Sequence, residues 1–231
     1  MATFGLVHGA WHGAWCWERL IPELEALGHR AIAMDLPCDD SSATFDDYAD
    51  VVCAAVTGVA GDLVLVGHSL AGQTIPLVAA RRPVRRLVYL CAIPASPGQS
   101  LLQQLSDPDM LNPDYVKGLG APDSQARTTW VDEDVLYHLV FGDCNRKTVS
   151  WASMRLRPQA TIHYELPCSL SAYPIVDTTY VLCDGDRMVN PSWSRRVARD
   201  WLNAELVELP GDHSPFLSRP AELAAVLDRL A

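Results

Sequence analysis

Hydrophobic positions along this chain follow two alternating rhythms. Aliphatic runs at 3–8, 29–35, 63–66 and 86–92 read as buried strands. Between them, apolar residues recur every three or four positions, the helical period. From about 15 to 27, Trp17, Leu20, Ile21, Leu24 and Leu27 share one face, and Gly28 ends the pattern. Thr44, with Asp46 and Asp47 just behind it, predicts a capped helix start, and Tyr48, Val51, Val52, Ala55 and Val56 form that helix's inner stripe. A run of small residues after the third strand predicts another helix, to about Arg82. Strand–helix alternation of this kind calls for an α/β fold with a mostly parallel sheet, helices on both faces and right-handed crossovers.

The rhythm breaks after the fourth strand. Between 94 and 174 prolines punctuate short helical pieces, of which 132–141 and 146–154 are the clearest. These pieces and their flanks carry Trp130, Leu136, Tyr137, Leu139, Phe141, Trp151 and Met154, which is too apolar for a solvated linker. The segment therefore predicts an inserted helical cap, and long insertions in such domains commonly serve as active-site lids. Alternation resumes with a strand at 177–183 that ends in Asp184-Gly185-Asp186. A helix at 191–202 with Pro191 in its first turn, a strand at 205–209 and an amphipathic helix at 220–230 complete the pattern. The expected organisation is an α/β core, 1–93 and 175–231, with a cap at 94–174.

Composition narrows the function classes. A chain of 231 residues that is 49% hydrophobic suits one large α/β domain. Its 18 Lys and Arg against 28 Asp and Glu give a net charge of −10, which repels phosphate backbones and anionic lipid. Neither nucleic acid nor a membrane is an expected partner, and no apolar run approaches the roughly 18 residues of a membrane span. The N-terminus has no basic leader, so no targeting peptide is expected. The seven cysteines are odd in number and form no Cys-x-x-Cys pair, which suits free thiols in a reducing compartment such as the cytoplasm. The remaining partners are a small molecule and, in a homodimer, a second copy of the chain.

Chemistry concentrates at Gly67-His68-Ser69-Leu70-Ala71-Gly72, where the third strand stops and a helix-compatible run begins. Strand, Gly-x-Ser-x-small turn, then helix is the nucleophile elbow of an α/β-hydrolase fold, with Ala71 where glycine is usual. Serine needs a base to remove its proton and an acid to hold that base. That fold sets the chain order as serine, acid, histidine. Of His138, His163 and His213, only His213 follows a late core strand, in Pro210-Gly211-Asp212-His213-Ser214. Asp184 and Asp186 both qualify as the acid. Backbone N–H groups of Leu70 and of Ala10, in the loop after the first strand, are the expected oxyanion donors. Gly9 beside Ala10 would let backbone approach the substrate. His8, His12 and His68 read as orienting or packing histidines, and with no His-Glu-x-x-His run no metal or other cofactor is expected.

Several stretches resemble the plant methylesterase and hydroxynitrile lyase family and its bacterial carboxylesterase relatives. They are 7–17, Val-His-Gly-Ala-Trp-His-Gly-Ala-Trp-Cys-Trp, with Gly67 to Gly72, Arg155-Leu156-Arg157-Pro158-Gln159 and Gly211-Asp212-His213. The likeness covers most of the chain and is weakest from about 96 to 131. It implies a capped α/β-hydrolase acting on a small, mostly apolar ester, with catalytic Ser69, Asp186 and His213 and oxyanion donors Ala10 and Leu70. That family's strand–glycine–Asp pattern favours Asp186 over Asp184. Gly9, Trp11, Trp130, Leu136 and Phe141 are the expected substrate contacts. The family's lyases place a lysine after the catalytic histidine, to hold cyanide, and favour threonine at the position of Gly9. Here the residue after His213 is Ser214, and the only lysines are Lys117 and Lys147. Both departures favour ester hydrolysis over cyanohydrin cleavage; a ligand-binding protein without turnover is the third reading. Trp11, where the plant enzymes often have cysteine, would narrow the acyl pocket.

Overall fold

The computed structural model describes residues 1–231. Six parallel strands form one sheet: β1 (Thr3–Val7), β2 (Arg30–Met34), β3 (Leu63–His68), β4 (Arg86–Leu90), and, after an excursion of the chain, β7 (Asp177–Cys183) and β8 (Glu205–Leu209). Within that excursion β5 (Arg127–Thr128) and β6 (Gln159–Ala160) pair as a small antiparallel ribbon. The sheet order is β2-β1-β3-β4-β7-β8, so the chain builds one edge, returns to the centre and then builds the other.

Side-chain alternation divides the apolar residues between the two faces. Phe4, Leu6, Val64, Val66, Val88 and Leu90 belong to one core. Leu63, Leu65, Leu87, Tyr89, Tyr180 and Leu182 belong to the other. Both faces being buried explains why these strands read as continuous apolar runs. Helices α1 (Leu20–Ala26), α2 (Phe45–Ala55) and α3 (Ile75–Arg81) lie in the first half. The excursion adds α4 (Leu101–Gln104), α5 (Tyr115–Gly118), α6 (Glu133–Val140) and α7 (Arg146–Ser153), and α8 (Pro191–Asp200), α9 (Pro215–Ser218) and α10 (Pro220–Arg229) complete the chain. The expected cap on α2 is present: Thr44 Oγ1 accepts the Asp47 N–H at 3.3 Å, and the Asp47 carboxylate returns to the Thr44 N–H at 2.8 Å.

Two predicted helices are shorter than their periodicity suggests, for one reason. Pro22 and Pro76 have no N–H and sit only in a first turn. Helix α1 therefore starts at Leu20, and Ala14–Trp17 forms a separate 3₁₀ turn. Helix α3 starts at Ile75, and Ser69–Gln73 is likewise a 3₁₀ turn of its own.

Candidate active site

The site forms where the C-terminal ends of β1, β3, β7 and β8 converge. β1 and β3 are neighbours at the point where strand order reverses, and loops leaving such a pair open a crevice. Val7 pairs with Gly67, which sets the loop after β1 beside the turn at Ser69. β7 and β8 run in register up to Cys183 and Leu209, so the short loops that follow bring Asp186 to His213.

Ser69 has φ of 52°, a left-handed conformation that is strained for a residue bearing a Cβ. Its neighbours hold it there. Ile93 N–H donates to the Ser69 carbonyl, and Ala95 N–H to that of Gly72, each at 3.0 Å. A Cβ on Gly67 would lie 2.9 Å from Ile75 Cγ2, and one on Gly72 would strike the Ile93 carbonyl. The turn thus accepts Ala71 and places its strictest demand one residue later. Gly72→Ala is expected to cost about 3 kcal/mol, or roughly 6–12 °C in Tm by calorimetry. A shift under about 2 °C would show that the post-β4 segment simply moves aside.

His213 Nδ1–H donates to Asp186 Oδ2 at 2.8 Å, with both side chains 3% exposed. Asp186 Oδ1 accepts N–H groups from Met188 at 2.8 Å and Val189 at 2.9 Å. Both carboxylate oxygens are occupied, and the proton held at Nδ1 leaves Nε2 of a neutral ring as the basic nitrogen. Asp184 is exposed. Of the two candidate acids, Asp186 is the one that reaches His213.

Three buried, neutral histidines frame this pair. His8 Nδ1–H donates to the Gly9 carbonyl at 2.8 Å while Nε2 accepts the Leu36 N–H at 2.9 Å, and burial lowers its pKa to about 4. His12 Nδ1–H donates to the Ala10 carbonyl at 2.7 Å, and burial lowers its pKa to about 3. His68, whose pKa burial also pushes well down, donates Nε2–H to the His213 carbonyl at 3.0 Å.

A cavity of about 460 Å³ borders Ser69, lined at its base by Ala10, Trp11 and Leu70. Leu101, Leu105, Leu111, Tyr115, Leu119 and Tyr164 supply much of its remaining wall, and no charged side chain lines it. Trp11, at φ 62°, is fastened from above. Its Nε1–H donates to Thr128 Oγ1 at 3.2 Å, its N–H to Gln159 Oε1 at 3.4 Å, and its carbonyl accepts the Arg157 N–H at 2.7 Å. The Trp130 ring meets Trp11 edge-on at 5.5 Å and stands behind it, outside the cavity wall.

The other expected contacts lie elsewhere. A Cβ on Gly9 would come 2.8 Å from Ser69 Cβ and 3.0 Å from His68 Nδ1, so glycine there lets the β1 loop pack on the elbow. Leu136 and Phe141 are 2% and 1% exposed and belong to the core, with Phe141 edge-on to His12 at 5.8 Å. Helical period identifies a buried face but does not say whether protein or cavity covers it. The cavity-lining residues of 101–119 escaped sequence reasoning because four-residue helices carry no measurable period. Asp212 escaped it because nothing in the chain signals its burial.

Cys91 Sγ, a carboxylate oxygen of Asp186 and a ring nitrogen of His213 lie within 4.8 Å of one another, the one donor cluster dense enough for a metal ion. It fits an ion poorly. Asp186 and His213 are hydrogen-bonded to each other, and interaction with Cys183, together with burial, keeps Cys91 a protonated thiol.

Residues 6–226 match the model of the alpha/beta hydrolase family. The chain belongs to that family. Methylesterase 7 of Arabidopsis thaliana is 27% identical to this alpha/beta hydrolase over 252 residues, covering 99% of this chain and 95% of that protein. Carbendazim hydrolyzing esterase of Nocardioides sp. (strain SG-4G) is 29% identical over 249 residues and covers 100% of both. Among solved structures, a pyrethroid hydrolase from Sphingobium faniae JZ-2 superposes with a TM-score of 0.87 at 23% identity, covering 99% of this chain and 96% of that one, a likeness of fold.

Proposed function

We propose that this alpha/beta hydrolase is a serine carboxylesterase acting on small, largely apolar, uncharged esters. The observations that carry the reading are a strained Ser69 at the base of an uncharged cavity and a buried Asp186–His213 pair whose imidazole lies 4.6 Å from the ring of His68, the residue before Ser69. In this reading Ser69 Oγ attacks the ester carbonyl as His213 Nε2 takes its proton, and Asp186 stabilises the imidazolium. N–H groups of Ala10 and Leu70 receive the oxyanion, each worth about 2.7–4 kcal/mol of barrier. His213 returns the proton to the departing alcohol, and water, activated by the same ring, then releases the acid from Ser69. Segment 94–174 serves as the cap. The esterase names of the relatives support an ester substrate.

Cyanohydrin cleavage is the weaker reading, because the cavity offers cyanide no cation. Lys117 is 73% exposed and paired with Asp114, and Lys147 is exposed. Seven free cysteines suit the cytoplasm, and no helix is long and apolar enough to cross a membrane.

A fluorophosphonate probe tests the reading. Intact mass should show one adduct, mapped to Ser69, with parallel loss of aryl acetate hydrolysis. An unlabelled, folded protein would support ligand binding without turnover. Cyanide release from mandelonitrile in the absence of ester cleavage would favour the lyase.

A further inference from the structure

Asp212 is a carboxylate that the proposed chemistry leaves unused, yet it is 4% exposed and adjoins the base. Its Oδ1 accepts the His213 N–H at 2.7 Å and the Arg187 N–H at 3.4 Å. Arg187 directly follows Asp186, so one oxygen ties the backbone of the acid loop to that of the base loop. The other side of the His213 backbone, its carbonyl, is held by His68. The segment after α6 packs against this carboxylate from outside: a Cβ on Gly142 would overlap Asp212 Oδ2.

We propose that Asp212 is a positioning residue for ester hydrolysis, clamping the His213 backbone to the Asp186 loop so that the imidazole keeps its aim on Ser69. This role rests on the serine esterase reading. Asp186 fixes the ring, but a ring hydrogen bond alone leaves the main chain free to rock. A clamp on both loops removes that freedom, and misplacement of a catalytic group by about 1 Å can cost a hundredfold in rate.

The charge environment agrees. The Asp186 carboxylate and the Arg187 backbone N–H face Asp212 from the acid loop, His213 from its own loop and Cys144 from the segment before α7, while the Arg187 guanidinium turns to His138. Burial, the larger cause, and the Asp186 charge push the Asp212 pKa up to about 6, against lowering by the His213 and Arg187 N–H groups. A carboxyl whose folded pKa lies above its unfolded value weakens the fold when ionised, a penalty complete above the folded pKa and absent below the unfolded one. Keeping such a group at neutral pH costs stability, as functional positions commonly do.

Steady-state kinetics on p-nitrophenyl acetate, with Ser69 labelling rates and melting curves, test the role. Asp212→Ala should lower kcat by about 10- to 100-fold with KM within about threefold, and slow labelling in parallel. Asp212→Asn presents an amide oxygen to the same two N–H groups, so it should return kcat to within about threefold of wild type. It should also melt higher than wild type near pH 8 but not near pH 4. Should Asp212→Ala not fold, Asp212→Ser takes its place, because its short side chain cannot span both amides. Wild-type kcat in the alanine or serine variant overturns the clamp, as does an asparagine variant as slow as the alanine one. Wild-type protein that neither cleaves the ester nor takes the probe overturns the esterase reading, and the positioning role with it.

Discussion

Asp186→Asn is expected to leave the chain folded and lower kcat by about four decades. The asparagine Oδ1 can still accept the Met188 and Val189 N–H groups that bind Asp186 Oδ1. Its amide nitrogen then faces His213 Nδ1 as a donor, which forces the ring's proton onto Nε2. A ring protonated at Nε2 has no lone pair for the Ser69 proton, so the loss comes from the wrong tautomer rather than from a disturbed structure. Aryl acetate kinetics and circular dichroism check both halves of the statement. Asp184→Asn is the internal control: its carboxylate is exposed, and its kcat should remain within about twofold. Reversed results would move the acid to Asp184.

Ser69→Ala removes the nucleophile and should lower kcat by about six decades. Alanine keeps the Cβ and meets the same left-handed backbone, so melting should change little. The double variant with Asp186→Asn should be no slower than Ser69→Ala alone, because base and acid have nothing left to activate. Additive losses in that pair would mean that the two residues act independently, contrary to a triad. Burst and steady-state measurements on one aryl ester decide it.

Core elements were legible because local and tertiary signals agree there. The strands β7 and β8 and the Thr44 cap lie where the hydrophobic pattern and capping chemistry place them. Helices α6 and α7 match their period within about two residues. Helices α1 and α3 began late because a proline outweighed the apolar spacing around it. Ser69 could be proposed from the strand–turn–helix elbow and His213 from chain order, since parallel strands deliver their loops to one edge of the sheet, whereas chain order left Asp184 and Asp186 both open and only the family resemblance favoured Asp186. The cavity wall could not. Leu136 and Phe141 lie on well-formed patterns and pack into the core, whereas Leu105, Tyr115 and Tyr164 border the cavity from short turns whose positions depend on long-range packing.

The fastening of Trp11 bears on how a substrate reaches Ser69. The backbone of Trp11 belongs to the loop beside the nucleophile, while its hydrogen-bond partners Thr128, Arg157 and Gln159 belong to the β5–β6 region above. Lifting that region would pull three hydrogen bonds from the residue next to Ala10, so roof and floor move together on this side. Leu102 and Val116 are 54% and 59% exposed and also border the cavity, on helices of a single turn each. The cavity is thus tied by hydrogen bonds where Trp11 borders it and meets solvent through side chains of α4 and α5.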